Sequence, residues 1–292
     1  MACAIARALR DGERVGVGVN SPIPAAAVLL ARLGHAPNLR FWLRGVPGAE
    51  PFAGSKEFFD FAQRGKLDVF FLSGVQIDLR GRVNLHVLGD YERPKRRFPG
   101  AFGSAVLYPI VPRVILFRTE HSPRVFVPQV DFVSAAGTPD RVVTPLAVLG
   151  FDRAAGRLVL ESTHPGQTIE SVREATGFHL LARPVVRETR PPSDEELRLL
   201  REEVYPRLAD AYPAFVANMR GVSGNARPAR HADQQRDHER HQRALDDQPQ
   251  IESLTPAQGA GDLTPLGHQA DEESDRGGHR AEADHDPQRR PK

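Results

Sequence analysis

The sequence predicts an α/β domain followed by a long polar tail. Short apolar runs of strand length alternate with segments of helical period over residues 1–222, which is the pattern of alternating strands and helices. One run, Leu67–Leu72 (LDVFFL), is apolar almost throughout, as a strand covered on both faces must be. Composition then marks where the domain stops. From Ser223 to Lys292, seventy residues carry ten Lys or Arg, fourteen Asp or Glu, five Leu or Ile, and no Val, Phe, Tyr, Trp or Met. Such a segment buries too little apolar surface to offset roughly 1–2 kcal/mol of backbone entropy per ordered residue. The expectation is a folded domain over 1–222 and a disordered tail over 223–292.

Arg14–Val19 (RVGVGV) reads as the first strand. Ser21 before Pro22 opens a helix that runs to Leu33, because serine caps orphan amides and proline in the first turn loses no hydrogen bond. Leu39–Leu43 (LRFWL) is the second strand, Ser55–Arg64 an amphipathic helix closed by Gly65, and Leu67–Leu72 the buried strand. Val83–Leu88, Val114–Arg118 and Val130–Ser134 add strands. Val142–Leu149 and Gly156–Glu161 flank the turn FDRAAG, which predicts an antiparallel hairpin at a sheet edge. Thr168–Thr176 is helical, ending at Gly177. Ser193 and Glu196 form the S-x-x-E capping box of a last helix, SDEELRLLREEVY, that Pro206 terminates.

Thirty-nine Lys and Arg against thirty-seven Asp and Glu leave a net charge of +2, too balanced to attract nucleic acid or an anionic membrane through the global field. A lone cysteine, Cys3, excludes an internal disulfide framework and cysteine-based metal clusters, and fits a reducing compartment. The N-terminal stretch has charges every few residues, and no long apolar run occurs, so a cytoplasmic protein without a membrane anchor is expected. His231, His238 and His241 in the tail lack any partnering pattern for a metal tract and read as solvated.

Several chemistries are absent by inspection: no G-x-S-x-G elbow, no H-E-x-x-H, no G-x-x-x-x-G-K-[ST]. Gly16 and Gly18 lack the third glycine of a dinucleotide fingerprint, since Ser21 occupies its place, and read as local packing. The informative stretch is Ser73–Gly103, SGVQIDLRGRVNLHVLGDYERPKRRFPGAFG. Directly after a buried strand it offers Gly74, then Gln76 and Asp78 at alternate positions, a turn at Gly81, and Asn84. A polar loop at the carboxyl end of a parallel strand is where open α/β sheets hold ligands. A surface turn whose polar residues bond to one another is the alternative.

These residues resemble the small (β) subunit of family I coenzyme A transferases, the glutaconate CoA-transferase type. That family shows G-[AG]-Q-[IV]-D-x-x-G-N-x-N followed by I-G-D-Y-x-x-P-K-x-R-x-x-G. This chain has Gly74, Gln76, Ile77, Asp78, Gly81 and Asn84, then Gly89, Asp90, Tyr91, Pro94, Lys95, Arg97 and Gly100. Ala36-Pro37-Asn38, Gln129–Ala135, His164-Pro165-Gly166 and Thr176-Gly177-Phe178 extend the likeness over about residues 3–208. The resemblance implies an open, mostly parallel sheet flanked by helices, a homologous α subunit as partner, and an acyl-CoA thioester as substrate. Coenzyme A is then part of the substrate, and no permanently bound cofactor or metal is expected. Gly74, Gln76, Asp78, Asn84, Gly100 and Gly103 would contact it.

In such enzymes a glutamate of the β subunit attacks the thioester. Counting from Ala36-Pro37, that position here is Arg44, and a guanidinium has no lone pair with which to attack. Glu50 is a weak substitute, because the Pro/Gly-rich turn GVPGAEPFAG holds a nucleophile poorly. Arg82 and Phe102 also replace an asparagine and a glycine of the family pattern. The pattern is similar too to the β subunits of steroid ring-opening hydrolases, in which the α subunit supplies the essential carboxylate. Arg44 would then hold a substrate carboxylate or enolate, with a structural ion pair or a solvated arginine as the alternative. Arg93, Lys95, Arg96 and Arg97 form a basic loop that either touches a CoA phosphate or is solvated, and His164 reads as a hydrogen-bonded structural residue rather than a proton shuttle. The function expected is that of a CoA-transferase-like β subunit acting on an acyl-CoA. A cyclic acyl-CoA hydrolase subunit, or a non-catalytic subunit or ligand sensor, stands as the alternative.

Overall fold

In the computed structural model, which describes residues 1–44, 46, 49 and 51–221, the chain opens with a short helix, α1 (Ala2–Ala6), and strand β1 (Arg14–Val17). There follow α2 (Pro22–Leu33), β2 (Arg40–Leu43), α3 (Ser55–Gln63), β3 (Val69–Leu72), β4 (Gln76–Asp78), β5 (Val83–Asn84), β6 (Val87–Gly89), β7 (Pro94–Arg97), α4 (Ser104–Ile110) and β8 (Arg113–Phe117). Then come β9 (Phe126–Val127), β10 (Arg141–Val143), β11 (Ala147–Asp152), β12 (Arg157–Thr163), α5 (Ile169–Glu174) and β13 (Leu181–Glu188). The described part ends with α6 (Asp194–Leu199), a π-helical segment (Leu200–Val204), α7 (Tyr205–Leu208) and α8 (Pro213–Gly221). These residues fall in one compact unit, Met1–Arg227. The tail expectation for 223–292 and the position of Glu50 lie outside the described residues.

The main sheet has the order β13-β12-β11-β10-β8-β3-β1-β2. Strands β2, β1, β3, β8 and β10 are parallel neighbours, β11 alone runs against them, and β12 and β13 resume the common direction. Strand β1 thus has its successor β2 on one side and β3 on the other. This reversal of strand order is the switch point at whose carboxyl edge doubly wound sheets open a crevice. The alternation of side chains is visible in β3. Val69 and Phe71 join a core under α1, α2, α6, α7 and α8, while Phe70 and Leu72 join a second core under α3, α4 and α5. Covering on both faces is why VFFL is apolar at every position.

Several expectations change in detail. The β11–β12 hairpin is present but is not the edge, because β13 pairs with β12 beyond it. Strand β13 escapes sequence reading since it is mostly exposed and contains Pro184, a residue that edge strands tolerate. Val83–Leu88 splits into β5 and β6, because the Asn84 side chain accepts the amides of His86 and Val87. Val130–Ser134 forms no strand; the Asp131 amide donates to Gln76 Oε1 and Ser134 Oγ accepts the Leu85 amide, and only Ala135 bridges to Val83. Side chains there take the hydrogen bonds that a ladder would use. Ser21 makes no capping bond, its hydroxyl donating instead to the Val19 carbonyl at 3.3 Å. The Ser193/Glu196 capping box is present, but Pro206 does not end the helix. Proline lacks an amide hydrogen, and the π-helical segment ahead of it carries the chain onward to Leu208. None of the described helices is long and apolar enough to cross a membrane.

Candidate active site

The carboxyl ends of four parallel strands converge on a cleft of about 520 Å³. The turn after β1 contributes Gly18 to Ile23, the end of β2 Arg44, the end of β3 Ser73, and the end of β8 Arg118 and Thr119. Gly100 to Ser104 and Phe58 and Phe59 of α3 line it as well. The volume and the mainly apolar walls suit a small organic ligand.

Strain gathers at this cleft. Among the described residues, the non-glycine residues with positive φ are Asn20 (54°) and Phe102 (46°), and both line it. Left-handed backbone costs roughly 1–2 kcal/mol for a residue carrying a Cβ, and such conformers cluster where a site needs them. Phe102 is 78% exposed at the rim, its ring 5.8 Å from that of Phe59. Gly103 beside it has no space for a side chain, since a Cβ would fall 2.1 Å from the Phe59 ring. Gly100 has φ +101 and packs against the His86 imidazole.

Arg44 is only 8% exposed. Its backbone extends the pairing of β2 with β1 by donating to the Val17 carbonyl at 2.9 Å. The guanidinium lies 4.7 Å above the Phe58 ring, and Nη2 donates to Ser55 Oγ at 3.3 Å. Stacking and burial hold it in one place. Arg118 reaches the same cleft from β8; it is partly buried and its Nε has no hydrogen-bond partner among the described residues. Burial pushes its pKa below the usual arginine value. Among the described residues, the charged side chains that line the cleft are Arg44 and Arg118. Glu120, two residues from Arg118, is turned to Arg124 (2.6 and 3.0 Å) and Ser122 (2.5 Å).

Of the predicted ligand contacts, the cleft contains Gly100 and Gly103 together with Arg44. Gly74, Gln76, Asp78 and Asn84 do not line it. They form a hydrogen-bonded block behind Leu85, which does. Asn84 Nδ2 donates to Gln76 Oε1 (2.7 Å) and to the Val87 carbonyl (2.6 Å). Asp78 accepts the amides of Arg80 and Arg82 (2.9 and 3.0 Å) and Arg82 Nε (2.6 Å). Gln76, Asp78 and Asn84 are buried, so their polar atoms are engaged within the chain. A Cβ on Gly74 would fall 2.3 Å from Val83 and 2.9 Å from the Asn84 carbonyl, which is why glycine stands there. The block adjoins the Leu85 and Gly100 walls, where the Gly100 amide donates to the Leu85 carbonyl at 3.1 Å.

The basic run is not a loop. Pro94–Arg97 is strand β7 in a hairpin with β6, Arg97 lies over Tyr91 (5.0 Å) and Arg96 over Phe98 (5.1 Å), and none of them lines the cleft. Proline is accommodated as its first residue. His164 bonds the Thr144 carbonyl at 2.9 Å, away from the cleft, and burial lowers its pKa. Gly16 proves a packing glycine, a Cβ there meeting Phe58 and Phe70 at 3.0 Å, whereas Gly18 lines the cleft. Sequence reading missed Asn20, Ser73 and Arg118. A polar residue directly after a run of apolar strand residues, VFFL before Ser73 and VILF before Arg118, is the signal that marks the last two.

An open α/β sheet with an arginine-lined crevice at its switch point defines a small-molecule-binding domain of the doubly wound class. The chain belongs to the coenzyme A transferase family, whose profile matches residues 42–175. It is 30% identical over 237 residues to one of the subunits of the 3-oxoadipate CoA-transferase of Pseudomonas knackmussii, covering 69% of this chain and 90% of that one. It is 32% identical over 179 residues to the cholesterol ring-cleaving hydrolase IpdB subunit of Rhodococcus jostii, covering 56% and 68%. The structure of glutaconate CoA-transferase from Acidaminococcus fermentans superposes with a TM-score of 0.63 at 26% identity, over 71% of this chain and 94% of that one. A variant of the decarboxylase AibA/AibB gives the same TM-score and identity over 68% and 91%.

Proposed function

We propose that this chain is the β-type subunit of a heteromeric, cytoplasmic CoA-transferase-like enzyme, with the acyl group of an acyl-CoA thioester seated in the cleft beside Arg44 and the α subunit closing it. The observation that carries this reading is the placement of Arg44, with Gly100 and Gly103, at the switch-point crevice of a transferase fold. The relatives named above act as CoA-transferase and ring-cleaving hydrolase subunits, which supports a thioester ligand and a partner subunit. Arg44 orients an anionic oxygen, a carboxylate or a developing enolate, in apolar surroundings where charge-assisted hydrogen bonds are strong. Gly74, Gln76, Asp78 and Asn84 act through the wall they hold, as positioning residues.

A second reading is favoured by Arg44 itself. With a guanidinium at the end of β2, the described cleft walls carry no carboxylate that could form the acyl adduct of exchange. Hydrolysis of a cyclic acyl-CoA, with the essential carboxylate on the α subunit, fits that arrangement. The test is to co-purify the chain with its α subunit and incubate the complex with acyl-CoA and a deuterated acceptor acid in H₂¹⁸O, following products by mass. CoA on the acceptor supports exchange, and ¹⁸O in a ring-opened thioester supports hydrolysis. An unchanged substrate across linear and cyclic acyl-CoAs overturns both and leaves a non-catalytic subunit. Arg44→Glu is expected to gain a covalent CoA adduct, trapped by borohydride; no adduct in a folded variant would refute the placement of residue 44 at the nucleophile position.

A further inference from the structure

Helix α4 turns apolar side chains to the outside. Its buried side holds Leu107 and Tyr108, and the Tyr108 hydroxyl donates inside the chain to the Gly81 carbonyl at 2.8 Å. Its exposed side holds Ala105, Val106, Pro109 and Ile110, and the helix has no charged side chain. The neighbouring α3 shows the ordinary arrangement, exposing Lys56, Glu57 and Gln63, and α6 exposes Asp194, Glu195 and Arg198. A helix that borders water normally presents its polar face there, so an outer face without charge belongs to a helix that another surface covers.

This face leads to the cleft. Val106 and Ile110 are 38% and 39% exposed and stand four residues apart, on one side of the helix. Phe102, 78% exposed, comes just ahead of the N-cap Gly103 and also lines the cleft, so it joins the head of α4 to the cleft mouth. Across that mouth Val19, on the turn after β1, is 56% exposed. Phe102 holds its ring in water at a left-handed φ of 46°. Strain of roughly 1–2 kcal/mol spent on exposing a phenyl ring is unfavourable for the chain alone and is offset where a second surface removes that ring from water.

The mouth decides which surface that is. A partner that closes the cleft reaches its rim, Phe102 is part of that rim, and the outer face of α4 continues from it for about 10 Å. A second copy of this chain seated there would compete with the α subunit for the same rim. We propose that the outer face of α4, with Phe102 at its head, is the apolar anchor on which the α subunit docks through an apolar surface of its own. This rests on the reading of the chain as a β-type subunit whose cleft an α subunit closes.

The full chain is mixed with its α subunit, and the dissociation constant is measured by sedimentation for the wild type, for Val106→Asp combined with Ile110→Asp, and for Gln63→Glu on α3. The double variant is expected to weaken association about 100-fold, the effect of losing two central apolar contacts, while Gln63→Glu leaves it unchanged. Both are expected to melt with the wild type, because all three positions are exposed. In parallel, p-benzoylphenylalanine placed at position 106 of the complex is expected to crosslink to the α subunit on irradiation, a readout that decides the matter should the charged variant melt early. Unchanged association of the folded double variant overturns the proposal, and so does a crosslink to a second copy of this chain or no crosslink to the α subunit. A wild-type chain that fails to associate with the α subunit refutes the β-subunit reading along with the proposal, whereas a wild-type complex that the double variant forms equally well refutes the proposal alone.

Discussion

Truncating Asn84 to Ala separates a supporting role for the polar block from direct ligand contact. The side chain is fully buried. Its Nδ2 donates to Gln76 Oε1 at 2.7 Å and to the Val87 carbonyl at 2.6 Å, and its Oδ1 accepts the amides of His86 and Val87 at 3.0 and 3.3 Å. Gln76 Oε1 keeps the Asp131 amide at 3.0 Å after truncation, but the Val87 carbonyl and two amides lose these side-chain partners. At about 1–3 kcal/mol for each group left unsatisfied, with partial relaxation, the loss is about 3–5 kcal/mol. For a domain of this size that lowers Tm by about 10 °C or more. Asn84→Asp is isosteric, yet it sets carboxylate oxygens against Gln76 Oε1 and the Val87 carbonyl, and is expected to destabilise at least as strongly at neutral pH. Differential scanning calorimetry of the αβ complex, run beside thioester titrations, measures both effects. The supporting role is refuted if Asn84→Ala melts within about 1 °C of the parent while thioester binding disappears.

Two further outcomes follow from neighbouring geometry. His121 sits between the Thr144 and Thr176 hydroxyls at 2.8 and 3.0 Å, and burial pushes its pKa down to about 4. A folded-state value below the ordinary 6.5 means that the native chain binds fewer protons than the unfolded one between those values. This contribution to stability is complete above about pH 6.5 and falls away toward pH 4, by about 3 kcal/mol; urea titrations across that range should show His121→Gln with a shallower slope than wild type, and equal slopes would contradict it. Gly103→Ala drives a methyl group into the Phe59 ring, so a cost of about 1–3 kcal/mol is expected together with weaker thioester binding as Phe59 is displaced; an unchanged titration would show that this wall is not part of the ligand site.

The local signals in the chain were enough for the class of fold. Periodicity distinguishes α2 and α3 from the strands, and the Ser193/Glu196 box starts α6 where it was expected. These signals depend on residues within a few positions of each other, as helix and strand patterns do. The family motif likewise placed Arg44 at the end of β2, because that depends only on counting along the strand. What depended on distant partners was not legible. Gln76, Asp78 and Asn84 looked like ligand contacts, since a polar cluster after a buried strand reads the same whether it faces a cleft or bonds to itself. Only the folded chain brings the Asp131 amide to Gln76 and spends the Asn84 amide on Val87.

The cleft is the clearest case of this division. Strand identity, helix starts and an arginine directly after the second strand could be taken from residue order, because each is a property of a short segment. The meeting of Asn20, Arg44, Ser73 and Arg118 could not. They are separated by tens of residues, and the parallel order β2-β1-β3-β8 is what sets their strand ends side by side. Packing beneath both faces of the sheet fixes that order, and with it the two guanidinium groups that line the crevice.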